Sequence, residues 1–302
     1  GTARTEEDRV EFVQGLCCGI TDGTPLLMLI RNRDVRDDDR YLMFAETPRP
    51  GHADLPALLK FPEFDIRGGG QFSGRLTAPI VAAGAVAAQL LAADGIRIAA
   101  FCRSVGTVTD PAARSFAEAQ GSAAFPARAC DAATNELMQR CIRAARDDGD
   151  STGGTVECMV EGLPIGFGGI WFESLDAELA AAVFAIPACK GVEFGRGFAV
   201  TEMRGSESND AYRFRNGRIV TATNNMGGIV GGMADGAPVV FRAAFKPTPS
   251  IAKTQETVDL KTETDAELQV RGRHDPCIAP RAAAVVEAVT ALVIADQLAR
   301  GL

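Results

Sequence analysis

Aromatic side chains are few in this chain, with one Trp, two Tyr and 16 Phe among 302 residues. Its interior must therefore be filled mainly by small and aliphatic side chains. Abundant Ala and 32 Gly suit close helix packing or backbone lying against a ligand. Histidine is scarcer still, present only as His52 and His274. The eight cysteines include no C-x-x-C pair, so zinc-site spacings are absent and no metal is expected. They read as reduced, mostly buried small hydrophobes of a cytoplasmic protein. An excess of positive charge is also missing. The net charge of -8 excludes a uniformly basic face for nucleic acid, while a local Arg/Lys pocket can still hold an anion. No signal peptide is visible, and no low-complexity tail or internal repeat of about 20–50 residues is found in the sequence. The stretch 76–93 comes nearest to a membrane span. It is Ala-rich, interrupted by Pro79 and Gly84, and lacks an aromatic belt, so it reads as a buried helix and no membrane partner is expected.

A chain of this length buries roughly 75% of its unfolded surface and needs no disulfide or metal to fold. Residues 10–17 and 24–30 carry β-type side chains around a Gly/Asp turn and predict a hairpin. A charged loop follows over 32–40. Helices are expected over 77–93, 111–120, 132–147, 175–186 and 280–298, and strands over 96–102, 155–161, 192–194 and 238–245. The segment 206–217 is polar and charged, hence a loop or flap, and 251–269 is polar. Residues 227–236 are glycine-rich. Hairpin-like strand pairs outnumber strand–helix–strand units, which argues against a doubly wound sheet and for helices covered by sheets.

Several loops carry candidate chemistry. RGGGQFSGR, at 67–75, runs into the Ala-rich helix. Its glycines either let backbone N–H groups approach an anion at a helix N-terminus or form a packing turn. Neither the dinucleotide fingerprint nor the P-loop fits, because Ser73 replaces a required Gly and Arg75 and Leu76 replace the Lys and hydroxyl. TPRPGHAD, at 47–54, sets Arg49 and His52 on one rigid loop. Histidine moves protons near neutral pH and arginine binds phosphate or carboxylate, although a lone loop histidine is more often structural. RGRHDP, at 271–276, holds Arg273, His274 and Asp275 in a turn that also fits a helix cap. KPTPS, at 246–250, ends a strand with one cation and two hydroxyls and is a weak signal alone. GGIVGGM fits either a tight bend or backbone packed on a planar ring.

Together these segments resemble chorismate synthase in order and spacing. The resemblance rests on RPGHAD, RGGG followed by S-G-R, DSTGG at 150–154, LPIGFG at 163–168, CKGVEFG at 189–195, TNNMGGIVGGM at 223–233, FKPTPSI at 245–251 and GRHDPC at 272–277. It covers nearly the whole chain and implies one domain over 1–302. The implied fold is α+β, a β-α-β sandwich with long helices between antiparallel sheets, assembled as a homotetramer. The implied activity is 1,4-elimination of phosphate from 5-enolpyruvylshikimate 3-phosphate, giving chorismate with reduced FMN as cofactor and NADPH as one source of its reduction. By family position His52 and Asp275 are the catalytic proton carriers. Arg4, Arg49, Arg75 and Arg273 would bind the substrate's phosphate and carboxylates. Flavin contacts would fall on Gln71, Phe72, Ser73, Pro187, Ala188, Gly231, Lys246, Pro247, Thr248, Pro249, Ser250 and Arg273.

The chain departs from the family pattern in places. Gln71-Phe72-Ser73-Gly74 stands where R-S-S-A is common, Pro187 where Asn is usual, and Pro249 where Ser is frequent. Family members carry about 50 further residues, a sizeable part of a typical domain, before the equivalent of Gly1. That stretch holds a second histidine motif and an arginine run, so Gly1 reads as a point inside a protein. Two other readings stay open from sequence: a flavin- or anion-binding module without catalysis, and a structural role in which the glycines serve packing alone.

Overall fold

The computed structural model describes residues 7–33, 41–270, 272 and 275–302. Arg4, Arg273 and His274 lie outside the described residues, as does most of the 32–40 loop. The chain opens with the expected hairpin, β1 (Val10–Gln14) against β2 (Leu27–Ile30), with Val10 opposite Ile30. The short helix α1 (Asp54–Lys60) precedes the long helix α2 (Thr77–Ala93). Then come β3 (Arg97–Val105), β4 (Val108–Thr109), α3 (Phe116–Gly121) and α4 (Ala132–Asp147). The second half holds β5 (Gly154–Glu161), α5 (Leu175–Phe184), β6 (Cys189–Phe194), β7 (Val239–Phe245), the pair β8 (Thr254–Asp259) and β9 (Thr264–Gln269), and α6 (Ala279–Arg300).

Five strands form one antiparallel sheet in the order β4-β3-β5-β7-β6. Strand alternation sends Val156, Cys158, Val160, Phe241 and Ala243 to one face, where they meet Ala283, Val286 and Ile294 of α6. Ala99, Phe101 and Met159 go to the other face and meet Phe116 and Ala119 of α3. Helix α2 packs mainly on α6 and also touches β3, and β2 touches α2 in turn. The class is α+β, with the long helices stacked on one face of the sheet.

The α2–α6 contact is very close. A Cβ built on Gly84 would fall 2.4 Å from both Cα and Cβ of Ala288, so the crossing needs a residue without a side chain. Helix α2 is less covered than its sequence suggests. Only Gly84, Ala87 and Leu91 are buried, because α6 shields one side, and Leu90 on another side is 61% exposed. By length and composition α2 (from Gly74) and α6 could each cross a membrane, yet the two pack on each other here.

Three further expectations change. The 206–217 segment contains a strand, Tyr212–Arg215, paired with Arg218–Thr221. The polar 251–269 segment is the β8–β9 hairpin. The helix expected from 111 starts at Phe116, because the Ser115 hydroxyl accepts from the Glu118 N–H while the Glu118 carboxylate accepts from the Ser115 N–H. All eight cysteines are free, but four rather than most are buried, and Cys17 and Cys18 are exposed at the hairpin tip.

Candidate active site

Four loops distant in sequence meet beside the Phe245 end of β7. The first, 47–53, is tied down at both ends. Thr257 of β8 donates its hydroxyl to the Pro48 carbonyl at 2.6 Å, and Asp54 opens α1. The second, 246–250, continues from β7. Its Lys246 ammonium donates to the Gly51 carbonyl at 3.0 Å, and its Ser250 hydroxyl accepts from Nη1 of Arg49 at 3.1 Å. The third is the glycine-rich turn. Gly68, Gly69 and Gly70 take φ of 63°, 84° and 52°, a left-handed run that side chains resist. The Cε1–Nε2 edge of His52 lies about 4 Å from a Cβ built on Gly69, and the Ser73 side chain lies as close on another side. The fourth is 150–153, where the Ser151 hydroxyl donates to the Thr248 carbonyl at 2.7 Å. Thr248 in turn donates its hydroxyl to the Asp275 carbonyl at 2.7 Å.

At the centre is a polar cluster around Asp54, which is fully buried. Its carboxylate accepts from Arg49 through Nε at 2.7 Å and Nη2 at 2.8 Å, and from Nδ1 of His52 at 2.6 Å. Burial alone would raise its pKa, but hydrogen bonds from His52 and Arg49 win and hold the carboxyl well below the usual carboxylate range. The Arg49 guanidinium also stacks 4.4 Å from the centre of the buried Phe44 ring. Arg49, expected to grip substrate, thus has its fork committed inside the protein, to Asp54 and Ser250.

Lys246 is the second cation of the cluster and is half-buried. Burial, then the neighbouring Lys190 charge, pushes its ammonium below the ordinary lysine range. Among the described residues no carboxylate pairs with it, which is the condition of a lysine that receives an anion.

The other expected residues divide. Ala188, at φ 70°, accepts from the Lys246 N–H at 3.0 Å, bringing Pro187-Ala188 to the cluster. Arg75 reaches the Asp8 carboxylate at 2.5 Å, and its backbone N–H is capped by Ser73 at 3.3 Å. A short turn, Gly74–Leu76, separates the glycines from α2, so they do not run straight into the helix as expected. Phe72 packs on Phe61 and Phe64, with ring centres 6.4 and 5.7 Å away. Asp275 lies 3.4 Å from Arg281 Nε. Gly231 is not brought to the cluster. It sits in the tight Ile229–Ala234 bend beside the Val239 end of β7, about 20 Å away by strand rise. Sequence reasoning missed Asp54, Thr257 and, as a tether, Ser151. For Asp54 the available signal is an acid two positions after His52 in the same loop.

Comparison with known proteins bears on this arrangement. A family model described as chorismate synthase matches residues 1–299. The chorismate synthase of Thermococcus gammatolerans is 50% identical over 301 residues, covering 99% of this chain and 83% of the relative. That of Opitutus terrae is 48% identical over 300 residues, 99% and 82% of the two chains. A crystal structure of chorismate synthase superposes with a TM-score of 0.77 at 27% identity, covering 97% of this chain and 78% of that one.

Proposed function

This chain belongs to the chorismate synthase family, and from that premise we propose which of its residues perform the reaction. The activity is that of a carbon–oxygen lyase, the 1,4-elimination of phosphate from 5-enolpyruvylshikimate 3-phosphate to give chorismate in aromatic amino acid biosynthesis. One observation carries the residue assignment: Arg49 and Ser250, 201 positions apart, join His52, Asp54 and Lys246 in a single cluster.

The residues present fit a reduced flavin phosphate beside an anionic substrate. A half-buried ammonium that no carboxylate pairs with among the described residues, open glycine backbone and hydroxyls at Ser73 and Ser250 suit an anion carrying a flat ring. When bound, reduced FMN supplies an electron-rich ring that lets phosphate depart without net redox change. Gln71, Ser73, Pro187, Ala188 and Lys246 to Ser250 line that position, and Phe72 supports it through Phe61 and Phe64. Gly231 is left out.

The substrate carries a phosphate and two carboxylates, so permanent cations must surround it. Arg75 serves with Arg4 and Arg273, which lie outside the described residues. Arg49 contributes its charge through the clamp with Asp54 rather than through a free fork. His52 moves a proton at Nε2, and Asp275 takes the proton lost from the substrate. NADPH or an external reductant maintains the flavin. The working form is a cytoplasmic homotetramer in which a second sheet completes the sandwich over the long helices. A binding module without catalysis is disfavoured by family membership.

The test is anaerobic phosphate release by the full-length protein with chemically reduced FMN. His52→Ala should lower kcat by about 10²–10⁴-fold, the usual range for losing one positioned proton carrier, with little change in melting temperature. A His52→Ala protein that turns over at the wild-type rate removes the assignment.

A further inference from the structure

The His52 ring is held by its Nδ1, and two contacts compete there. Asp54 Oδ1 lies at 2.6 Å and Arg49 Nη2 at 3.2 Å. Nδ1 carries either a proton or a lone pair. A lone pair facing a carboxylate oxygen at 2.6 Å is repulsive, whereas an N–H there makes a strong charge-assisted hydrogen bond. Arg49 Nη2 already donates to the same Oδ1 at 2.8 Å and does not need Nδ1 as an acceptor. The proton therefore sits on Nδ1 and points at Asp54. In the neutral ring this leaves the lone pair on Nε2. Among the described residues Nε2 has no hydrogen-bond partner, and it lies on the edge of the ring turned toward Gly69.

We propose that Asp54 is a positioning residue for the reaction: its buried carboxylate keeps the His52 proton on Nδ1 and so presents Nε2 as the atom that gives and takes the proton. The inference rests on the reading of His52 as a proton carrier. Asp54 is out of solvent and its visible partners are Arg49 and His52. The charged groups around it are few. Arg49 shares its carboxylate, and Lys246 reaches the loop only through the Gly51 carbonyl. A fixed anion behind an imidazole sets tautomer and ring orientation, and its loss in other enzymes leaves geometry intact while the wrong tautomer costs about 10⁴-fold in kcat.

Only two histidines fall in these 302 residues, so few ring signals need assignment. Long-range ¹⁵N–¹H NMR on histidine-labelled protein, with His274→Gln to assign the remaining signals, should show neutral His52 protonated at Nδ1 and bare at Nε2. This needs no change at Asp54, so it decides the matter even if variants there fold poorly. Asp54→Asn should then mix or invert the tautomers and lower kcat by about 10²–10⁴-fold, with KM and FMN affinity within about threefold of wild type. A wild-type ring protonated at Nε2 overturns the proposal. So does an Asp54→Asn protein that keeps the Nδ1–H tautomer and loses rate only in step with its stability. If the tautomer is as stated but wild-type enzyme releases no phosphate, Asp54 still orients the His52 ring, but the reading of His52 in the reaction fails and with it any role of Asp54 in catalysis.

Discussion

Asp54 is a buried carboxylate whose ionised form is held by His52 and Arg49, and its stability effect has a definite sign. Its folded value is depressed below the unfolded value of about 3.9. Such a group contributes stability above that unfolded value, and the contribution is lost as pH falls from there toward the folded value. The free energy of unfolding should therefore differ most between wild type and Asp54→Asn near neutral pH. The gap should close as pH drops below about 4, as read by urea titrations at several pH values. A gap unchanged down to about pH 2.5 would show that the carboxylate's charge is not what the folded state relies on. At this scale sequence and structure part in an instructive way. His52 and Lys246 were legible because a rare histidine and a strand-ending lysine stand in Pro/Gly loops. The role of Asp54 was not, because an acid opening a helix is ordinary and sequence does not show that the helix buries it. Nor could it show that the Arg49 fork turns inward.

Between elements, the narrowest point is the crossing of α2 and α6. Helix propensity by itself favours Ala over Gly by about 1 kcal/mol, so Gly84→Ala would strengthen α2 in isolation. In the fold the added methyl would sit 2.4 Å from the Ala288 backbone, and the helices would have to separate. Overpacking of this kind typically costs about 1–3 kcal/mol, which exceeds the propensity gain. Gly84→Ala should lower the denaturation midpoint without altering helix content, measured by urea titration followed with circular dichroism. A midpoint equal to or above wild type would mean that the crossing relaxes freely. The long helices were readable from apolar runs bounded by Pro79, Gly95 and Pro280. The hairpins at Tyr212–Thr221 and Thr254–Gln269 were not: the first has strands of four residues whose apolar side chains stand mostly exposed, and the second is polar in sequence at most positions although Thr254–Asp259 alternates between exposed and half-buried.

For the whole molecule the telling feature is the uneven cover on its helical layer. Helix α6 has more than half of its apolar window buried, between α2, α5 and the sheet, while α2 has 17%. Leu76 and Leu90 of the α2 region stand 51% and 61% exposed. Exposed leucines along one apolar helix fit a surface that another layer covers. Net charge of -8 keeps chains apart at long range, so any self-association must be driven by apolar contact at short range and should persist at high salt. Light scattering after size exclusion should give about four times the 31.8 kDa chain mass for this sequence, whether at low salt or in about 1 M NaCl. Replacing Leu90 with Glu puts a charge into that face and should lower the mass toward one chain if copies of the protein supply the cover. A monomeric mass for the unmodified protein at micromolar concentration would remove the tetramer from the proposed function and leave the α2 face to be covered within one chain.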